Sequence, residues 1–376
     1  MPKKKKSIAF LCAKGDSLIR FRGELIKQFL ARDYIVHALA SEIDPIYMTE
    51  LKALGVKFHT ISLRRKSLNP FHAVSDFINV FKVIRSIKPS IIFSYTHKSV
   101  IIGAFAGFLN HIPVRCSLIT GTGHIFERET FKKKLVSLMA CYVFKIALKL
   151  SAHVIFQNKD DKKLFIDFNL AKEEGSYVVN GSGVDLNHFQ EEDLPDELSV
   201  ICLTRLIKSK GVREYAKTSK EVKKLIPNAK FYLAGFADDH EDSISEEEIK
   251  NEWLEEYGIE YLGSFLDPRE AIRMASVYVL LSYNEGTPRS VLEAMSMGRP
   301  IVTTNVAGCR ETVKDGINGY LVPDKNIQEP VKKITLLADA KLRKTMGRES
   351  RLYCVEKYDV HKVNEDILNI MRIDKL

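Results

Sequence analysis

Short runs of Val, Ile, Leu and Phe alternate along the whole chain with longer segments of helical periodicity, and no other feature limits the fold so tightly. Runs of five to eight apolar residues bounded by turn signals are strands buried on both faces, and interleaved amphipathic helices connect such strands in parallel. The first series reads SIAFLC (7–12), YIVHAL (34–39), VKFHTI (56–61), SIIFSY (90–95), VRCSLI (114–119) and HVIFQN (153–158). The second reads LSVICLTR (198–205), AKFYLAG (229–235), IEYLGSF (259–265), VYVLLSY (277–283), RPIVTT (299–304) and NGYLVP (318–323). Between them, residues 175–198 break the rhythm with glycines, a proline and an acidic cluster, the composition of an interdomain linker. The expected fold is therefore α/β, with two successive Rossmann-like, doubly wound domains of similar size: residues 1–183, then 184–355. A last helical segment, from about 341 to 373, is long enough for its end, 356–376, to cross back to the first domain.

A length of 376 residues agrees with two cores, because single cores stop growing near ~250–300 residues. The net charge of +9 is divided unevenly. Residues 1–190 hold 29 Lys+Arg and 15 Asp+Glu, net +14, and the rest hold 28 and 33, net −5. A basic first half fits a polyanion or an anionic membrane surface as partner. The six cysteines are widely spaced and form no C-x-x-C pair, which reads as reduced thiols in a cytoplasmic protein. The basic start, MPKKKKSIAFLCAKG, has too short an apolar run for a signal peptide, and no run reaches the ~18 residues of a membrane span.

The stretch NEGTPRSVLEAMSMGRPIV (284–302) follows the strand at 277–283. Thr287 suits an N-cap, Pro288 the first helical position and Gly298 the C-terminal stop, so the spacing predicts a helix over 288–297. A helix start just beyond a strand end offers amides and a positive dipole end to a phosphate. Two carboxylates, Glu285 before the helix and Glu293 within it, are acceptors, and sugar hydroxyls are the donors that suit them.

These residues carry a resemblance. The pattern E-G-x-P-x-x-x-x-E-A-M from Glu285 to Met295 is similar to the E-x7-E signature of retaining, nucleotide-sugar-dependent glycosyltransferases of the GT-B fold, glycosyltransferase family 4. RLIKSKG supplies the R-x4-K-G element as Arg205 and Lys210, and NGSGVDLNHF (180–189) resembles the N-G-V-D-x-x-x-F linker pattern. The resemblance implies two Rossmann-like domains facing across a cleft. It also implies that Arg205 and Lys210 hold the donor diphosphate, Glu293 accepts from the ribose hydroxyls and Glu285 contacts the donor sugar, with Gly286, Thr287, Pro288 and Arg289 completing the donor site. No metal or cofactor is expected: fixed cations and a helix start can stabilise the leaving phosphate, and no D-x-D lies in a suitable loop.

In the first half, LRRKSLNPF (63–71), IIFSYTHKSVIIGAFA (91–106) and SLITGTGHIF (117–126) resemble bacterial transferases that extend undecaprenyl-diphosphate-linked sugars, N-acetylgalactosaminyltransferases among them. The implied partners are a UDP-sugar, a polyprenyl-diphosphate-linked acceptor and the inner face of the plasma membrane. Gly15, Arg22, Lys98 and His124 are the acceptor-side candidates, His124 also as a catalytic residue; Arg22 and Lys98 read equally well as exposed helix charges. The chain departs from the family where KGDS replaces a glycine pair after the first strand and where Ala307 precedes Gly308. The helical segment 130–150, TFKKKLVSLMACYVFKIALKL, is either core or an interfacial membrane helix. Rival readings are a UDP-sugar 2-epimerase on the same fold, a transferase with a soluble acceptor, and a nucleic-acid binder, for which no recognition motif is present.

Overall fold

The structure, a computed structural model, describes residues 6–64, 69–122, 131–237 and 242–373. They divide into two units, residues 1–182 with 364–376, and residues 183–363.

The first unit runs β1 (Ser7–Leu11), α1 (Asp16–Ala31), β2 (Ile35–Ala40), α2 (Pro45–Ala53), β3 (Lys57–Thr60), α3 (Pro70–Ile87), β4 (Ile91–Tyr95), α4 (His97–Leu109), β5 (Val114–Ile119), α5 (Phe131–Leu150), β6 (His153–Phe156), α6 (Lys159–Asp167) and β7 (Ser176–Val178). Its seven strands are all parallel in the order β3-β2-β1-β4-β5-β6-β7. The six expected strands lie within two residues of their predicted ends; β7 is an addition. It takes the start of the segment read as linker, and its three residues are too few to show a period of two. On β1 the period is plain: Ala9 and Leu11 join one apolar cluster, and Phe10 points the other way against Phe29 and Phe93.

The second unit runs β8 (Ser199–Leu203), α7 (Val212–Leu225), β9 (Lys230–Ala234), α8 (Glu246–Glu248), a π turn (Ile249–Trp253), α9 (Leu254–Tyr257), β10 (Ile259–Tyr261), α10 (Pro268–Ile272), β11 (Val277–Leu280), α11 (Arg289–Ser296), β12 (Ile301–Thr304), β13 (Gly319–Val322), α12 (Gln328–Leu336), α13 (Ala340–Lys357) and the first residues of α14 (Val360–Ile370), which from Asn364 counts with the first unit. Its parallel sheet is ordered β10-β9-β8-β11-β12-β13. Val200, Cys202, Val277 and Val279 pack on one face, and Ile201, Tyr278 and Leu280 on the other. Burying a Val or Leu side chain stabilises by roughly 1.5–3 kcal/mol, so each strand is held from both sides.

Two further expectations are corrected. Most of the segment predicted as linker is bound to the second unit: Arg299, fully buried, donates to the carbonyls of Glu192 and Asp193, Arg343 to that of Asp196, and Arg351 to those of Leu186 and Phe189. Buried guanidinium groups need several acceptors, and an extended backbone supplies them in a row. The last helical segment is two helices, not one. Between α13 and α14 the backbone leaves the helix to pair with Val184, whose amide donates to Tyr358 O (2.8 Å) while Val360 N donates to Val184 O (3.0 Å). Residues from Asn364 onward belong with the first unit, and Ile367, Leu368, Met371 and Ile373 are buried there.

Candidate functional site

In both sheets the strand order reverses beside the first strand of the series, between β1 and β4 and between β8 and β11. Loops leaving the C-terminal ends of such strands diverge and open a crevice, the usual ligand position in doubly wound sheets. Arg205 and Lys210 lie on the loop after β8, and Glu285 lies on the loop after β11, so all three sequence-predicted residues are on the two loops that leave the switch point of the second sheet.

These two loops are laced together. Tyr283 N donates to Ser209 O (2.9 Å), Ser282 Oγ donates to the same carbonyl (3.3 Å), and Lys210 Nζ donates to Glu285 Oε1. The Lys210 and Glu285 side chains are 13% and 14% exposed, a pair largely withdrawn from water yet open at one side. Arg205 is half-buried. Gly211 closes the first loop at φ +67°, and a Cβ there would stand 2.0 Å from Leu281 O. Only glycine fits so close to the end of β11. Gly308, at φ +74°, lies as tightly against the carbonyls of Glu285 and Gly286, and Glu285 N donates to Ala307 O (3.3 Å). The Ala307-Gly308 step therefore braces Glu285 from below.

The helix α11 begins one residue later than expected and is not capped by Thr287. Pro288 is the N-cap, extended at ψ 110°, and its carbonyl accepts from Val291 N and Leu292 N; Thr287 Oγ1 donates to Gly286 O (2.9 Å). Proline's fixed φ suits either position, and the extended ψ of Pro288 places it outside the helix. Gly298, at φ +83°, provides the expected stop. Within the helix, Arg289 Nε donates to Glu293 Oε1 (3.0 Å) one turn on, and Arg289 Nη1 donates to Gly183 O. Glu293 is 9% exposed, so its carboxylate is held by a partner and its remaining acceptor capacity is oriented. The Arg289–Glu293 pair is an i,i+4 contact that the sequence contained and pattern-matching on the glutamates overlooked.

Cys309 lies near Glu285 and Lys210, and burial pushes its thiol up to about 12, which keeps it protonated at neutral pH. Glu311, two residues on, is bound at the end of α13: its carbonyl accepts from the Tyr353 and Tyr358 hydroxyls, and its carboxylate pairs with Lys357 (3.5 Å).

The acceptor-side candidates are placed differently from expectation. Gly15 stands at the switch point of the first sheet, but a Cβ there would lie 2.6 Å from Ile43 Cβ and 2.8 Å from Glu42 O. Its small size serves packing against the chain itself, where the sequence reading gave that space to an acceptor. Arg22 is 2% exposed, with its guanidinium 5.6 Å from the Tyr95 ring centroid, so it faces the interior. Lys98, in the first turn of α4, donates to Asp76 Oδ2 (2.8 Å) and Arg64 O (2.7 Å). Asp76 is fully buried and also accepts from Ser62 Oγ (2.8 Å) and Arg64 N (3.0 Å). Lys98 thus anchors the loop after β3. His124 lies outside the described residues.

Sequence reasoning missed Thr96. It joins β4 to α4 at φ +71° and ψ 143°, a conformation that costs a β-branched residue roughly 1–3 kcal/mol. Such strain concentrates at functional sites, and Thr96 sits at the switch point of the first sheet. Nothing in a one-letter pattern marks a threonine as left-handed. In α5 the described side chains divide: Phe144, Ala147 and Leu148 are buried, and Met139 and Tyr142 are 65% and 67% exposed. No helix among the described residues is long and apolar enough to cross a membrane.

Comparison with known proteins agrees with the two-domain α/β fold. Residues 184–353 match the family described as glycosyl transferases group 1, and residues 7–158 match glycosyl transferase 4-like. The chain is 29% identical to the N,N'-diacetylbacillosaminyl-diphospho-undecaprenol alpha-1,3-N-acetylgalactosaminyltransferase of Campylobacter jejuni, over 91% of this chain and 92% of that one. It is 24% identical to the Escherichia coli UDP-Gal:alpha-D-GlcNAc-diphosphoundecaprenol alpha-1,3-galactosyltransferase, over 81% of this chain and 78% of that one. Among solved structures, Anabaena Alr3699/HepE in complex with UDP superposes with a TM-score of 0.77 at 18% identity, covering 99% of this chain and all of that one.

Proposed function

Because the chain belongs to the GT-B glycosyltransferases, with a 4-like domain followed by a group 1 domain, we propose that it transfers a hexosamine or hexose, N-acetylgalactosamine foremost, from a UDP-sugar to an undecaprenyl-diphosphate-linked saccharide. The observation that carries this reading is the pairing of Lys210 with Glu285 at the switch point of the second sheet, with Arg205 on the same loop as Lys210. The two relatives that act on diphospho-undecaprenol-linked sugars support the choice of acceptor.

Lys210 has three N–H donors and spends one on Glu285, so it can hold that carboxylate in place and still reach a phosphate oxygen. The first-turn amides of α11 and Arg205 add positive potential where charge grows on the departing diphosphate. Glu293, steadied by Arg289, accepts from the ribose hydroxyls, and Glu285 accepts from the donor sugar. The anomeric configuration is retained by front-face attack. The C1–O bond to phosphate breaks, the acceptor oxygen bonds to C1 from the same side, and its proton passes to a phosphate oxygen of the leaving UDP. No metal takes part, and the reaction runs at the cytoplasmic face of the membrane, to which the basic first half is drawn.

The test is UDP release from a panel of UDP- and GDP-sugars with and without a polyprenyl-diphosphate-linked acceptor, followed by NMR of the product's anomeric coupling. Acceptor-dependent release with retention, unaffected by EDTA, is expected. Release of an epimerised UDP-sugar without acceptor would sink the reading.

A further inference from the structure

We propose that the outward stripe of α3 is the surface by which this protein docks on an anionic lipid bilayer, an inference that rests on a lipid-linked acceptor being the substrate. Along α3 the inner face is spent on the first unit's core: Val80 and Ile84 are fully buried, and Phe77, Phe81, Val83 and Ile87 pack against the same cluster. The outer face is not polar in return. Phe71 is 81% exposed, Val74 57% and Ile78 44%. Their spacings of three and four residues place them on one narrow stripe, about 10 Å long.

Single exposed apolar residues need no explanation, whereas a contiguous set marks an interaction surface. The same stripe continues into Lys82 and Arg85, both exposed. The helix thus shows an apolar first half and a basic second half along one line. Every exposed position described on it is Phe71, Ala73, Val74, Ser75, Ile78, Lys82, Arg85 or Ser86, and none is a carboxylate. Asp76, the helix's one acid, is fully buried against Lys98. Apolar side chains that enter the acyl boundary beside cations that stay at the headgroups fit a bilayer carrying negative lipid. The +14 excess of residues 1–190 gives the same complementarity on a larger scale. The sequence leaves segment 130–150 as either core or an interfacial membrane helix; the docking surface is that of α3.

The experiment uses the full chain with vesicles of phosphatidylcholine, alone or mixed with phosphatidylglycerol, and reads co-sedimentation. The triple variant Phe71→Ser, Val74→Ser, Ile78→Ser is expected to lose about tenfold or more in vesicle affinity. Lys82→Gln and Arg85→Gln should each lose about fivefold, on phosphatidylglycerol vesicles only. Transfer to a detergent-dispersed short-chain prenyl-diphosphate acceptor should be unchanged in all three. Wild-type affinity in the triple variant would overturn the proposal. So would a wild-type dimer that the triple substitution makes monomeric, since the stripe would then face a second copy. Vesicle binding through α3 without transfer to any prenyl-linked acceptor would support the docking surface and refute the acceptor reading.

Discussion

Lys210 and Glu285 neutralise each other in a setting only partly open to water, which makes each the other's support. Lys210→Ala is expected to lower kcat/KM by about 10²–10³, the loss typical of one stabilising donor. Because it also takes the Lys210 ammonium away from the Glu285 carboxylate, a melting-temperature decrease should accompany it, and Lys210→Ala with Glu285→Gln should recover stability without activity. Calorimetry and UDP-release kinetics on the three proteins would check this. Asp76 makes the same argument in the first unit. Burial alone would raise its carboxyl, but hydrogen bonds from Lys98, the Arg64 amide and Ser62 hold it below the usual carboxylate range. Its stabilisation is therefore present at neutral pH and lost as the pH falls through that lowered value. Asp76→Ala, which leaves Lys98 without its partner, should cost about 3 kcal/mol in urea unfolding. His37, hydrogen-bonded to His59 (2.9 Å) across β2 and β3, is lowered to about 4 by burial, with the His59 and Lys57 charges adding to the effect. The unfolded chain takes up that proton first, near 6.5, so stability should fall as pH drops from 6.5 towards 4. In His37→Gln that slope should flatten in urea unfolding at a series of pH values. Neither the Asp76 nor the His37 pair was legible in the sequence: Lys98 and Asp76 stand 22 residues apart, and only the packing of α3 against α4 brings them together.

At the scale of elements, the alternation of β-branched runs with amphipathic segments was enough to place twelve of the thirteen strands among the described residues, because parallel strands buried on both faces must be apolar throughout. What the pattern did not carry was whatever depended on tertiary pairing. β7 is too short to be periodic, α13 and α14 are separated by a pairing with Val184, and α11 starts where the backbone at Pro288 turns extended. The closeness of Lys210 and Glu285 was legible because both follow strand ends. The surroundings of the acceptor-side candidates were not legible, because a single glycine, arginine or lysine in a sequence does not tell what will pack around it: Gly15 meets Ile43 and Glu42, Arg22 is buried beside Tyr95, and Lys98 binds Asp76. The switch-point loops of the second unit depend on one glycine. Gly211→Ala meets both a positive φ and Leu281 O, and should cost more than about 2 kcal/mol while displacing Lys210 from Glu285. A crystal structure of the variant, or a drop in donor affinity larger than the drop in stability implies, would check it.

Over the molecule as a whole, the chain changes from one unit to the other at Ser182/Gly183 and returns at Val363/Asn364. Residues 364–376 count with the first unit, and removing them should expose Ile367, Leu368 and Met371's apolar neighbours, so that amide exchange accelerates in β1–β7 before it does in β8–β13. The arginine staples have a practical consequence for anyone exchanging donor specificity by recombination. A chimera cut at the acidic segment near residue 198, where the sequence invites it, would hand Arg299, Arg343 and Arg351 a foreign backbone in place of the carbonyls of residues 186–196. The crossover belongs between Ser182 and Gly183, with a second between Val363 and Asn364, so that the donor half is transplanted together with the strap that its own guanidinium groups hold.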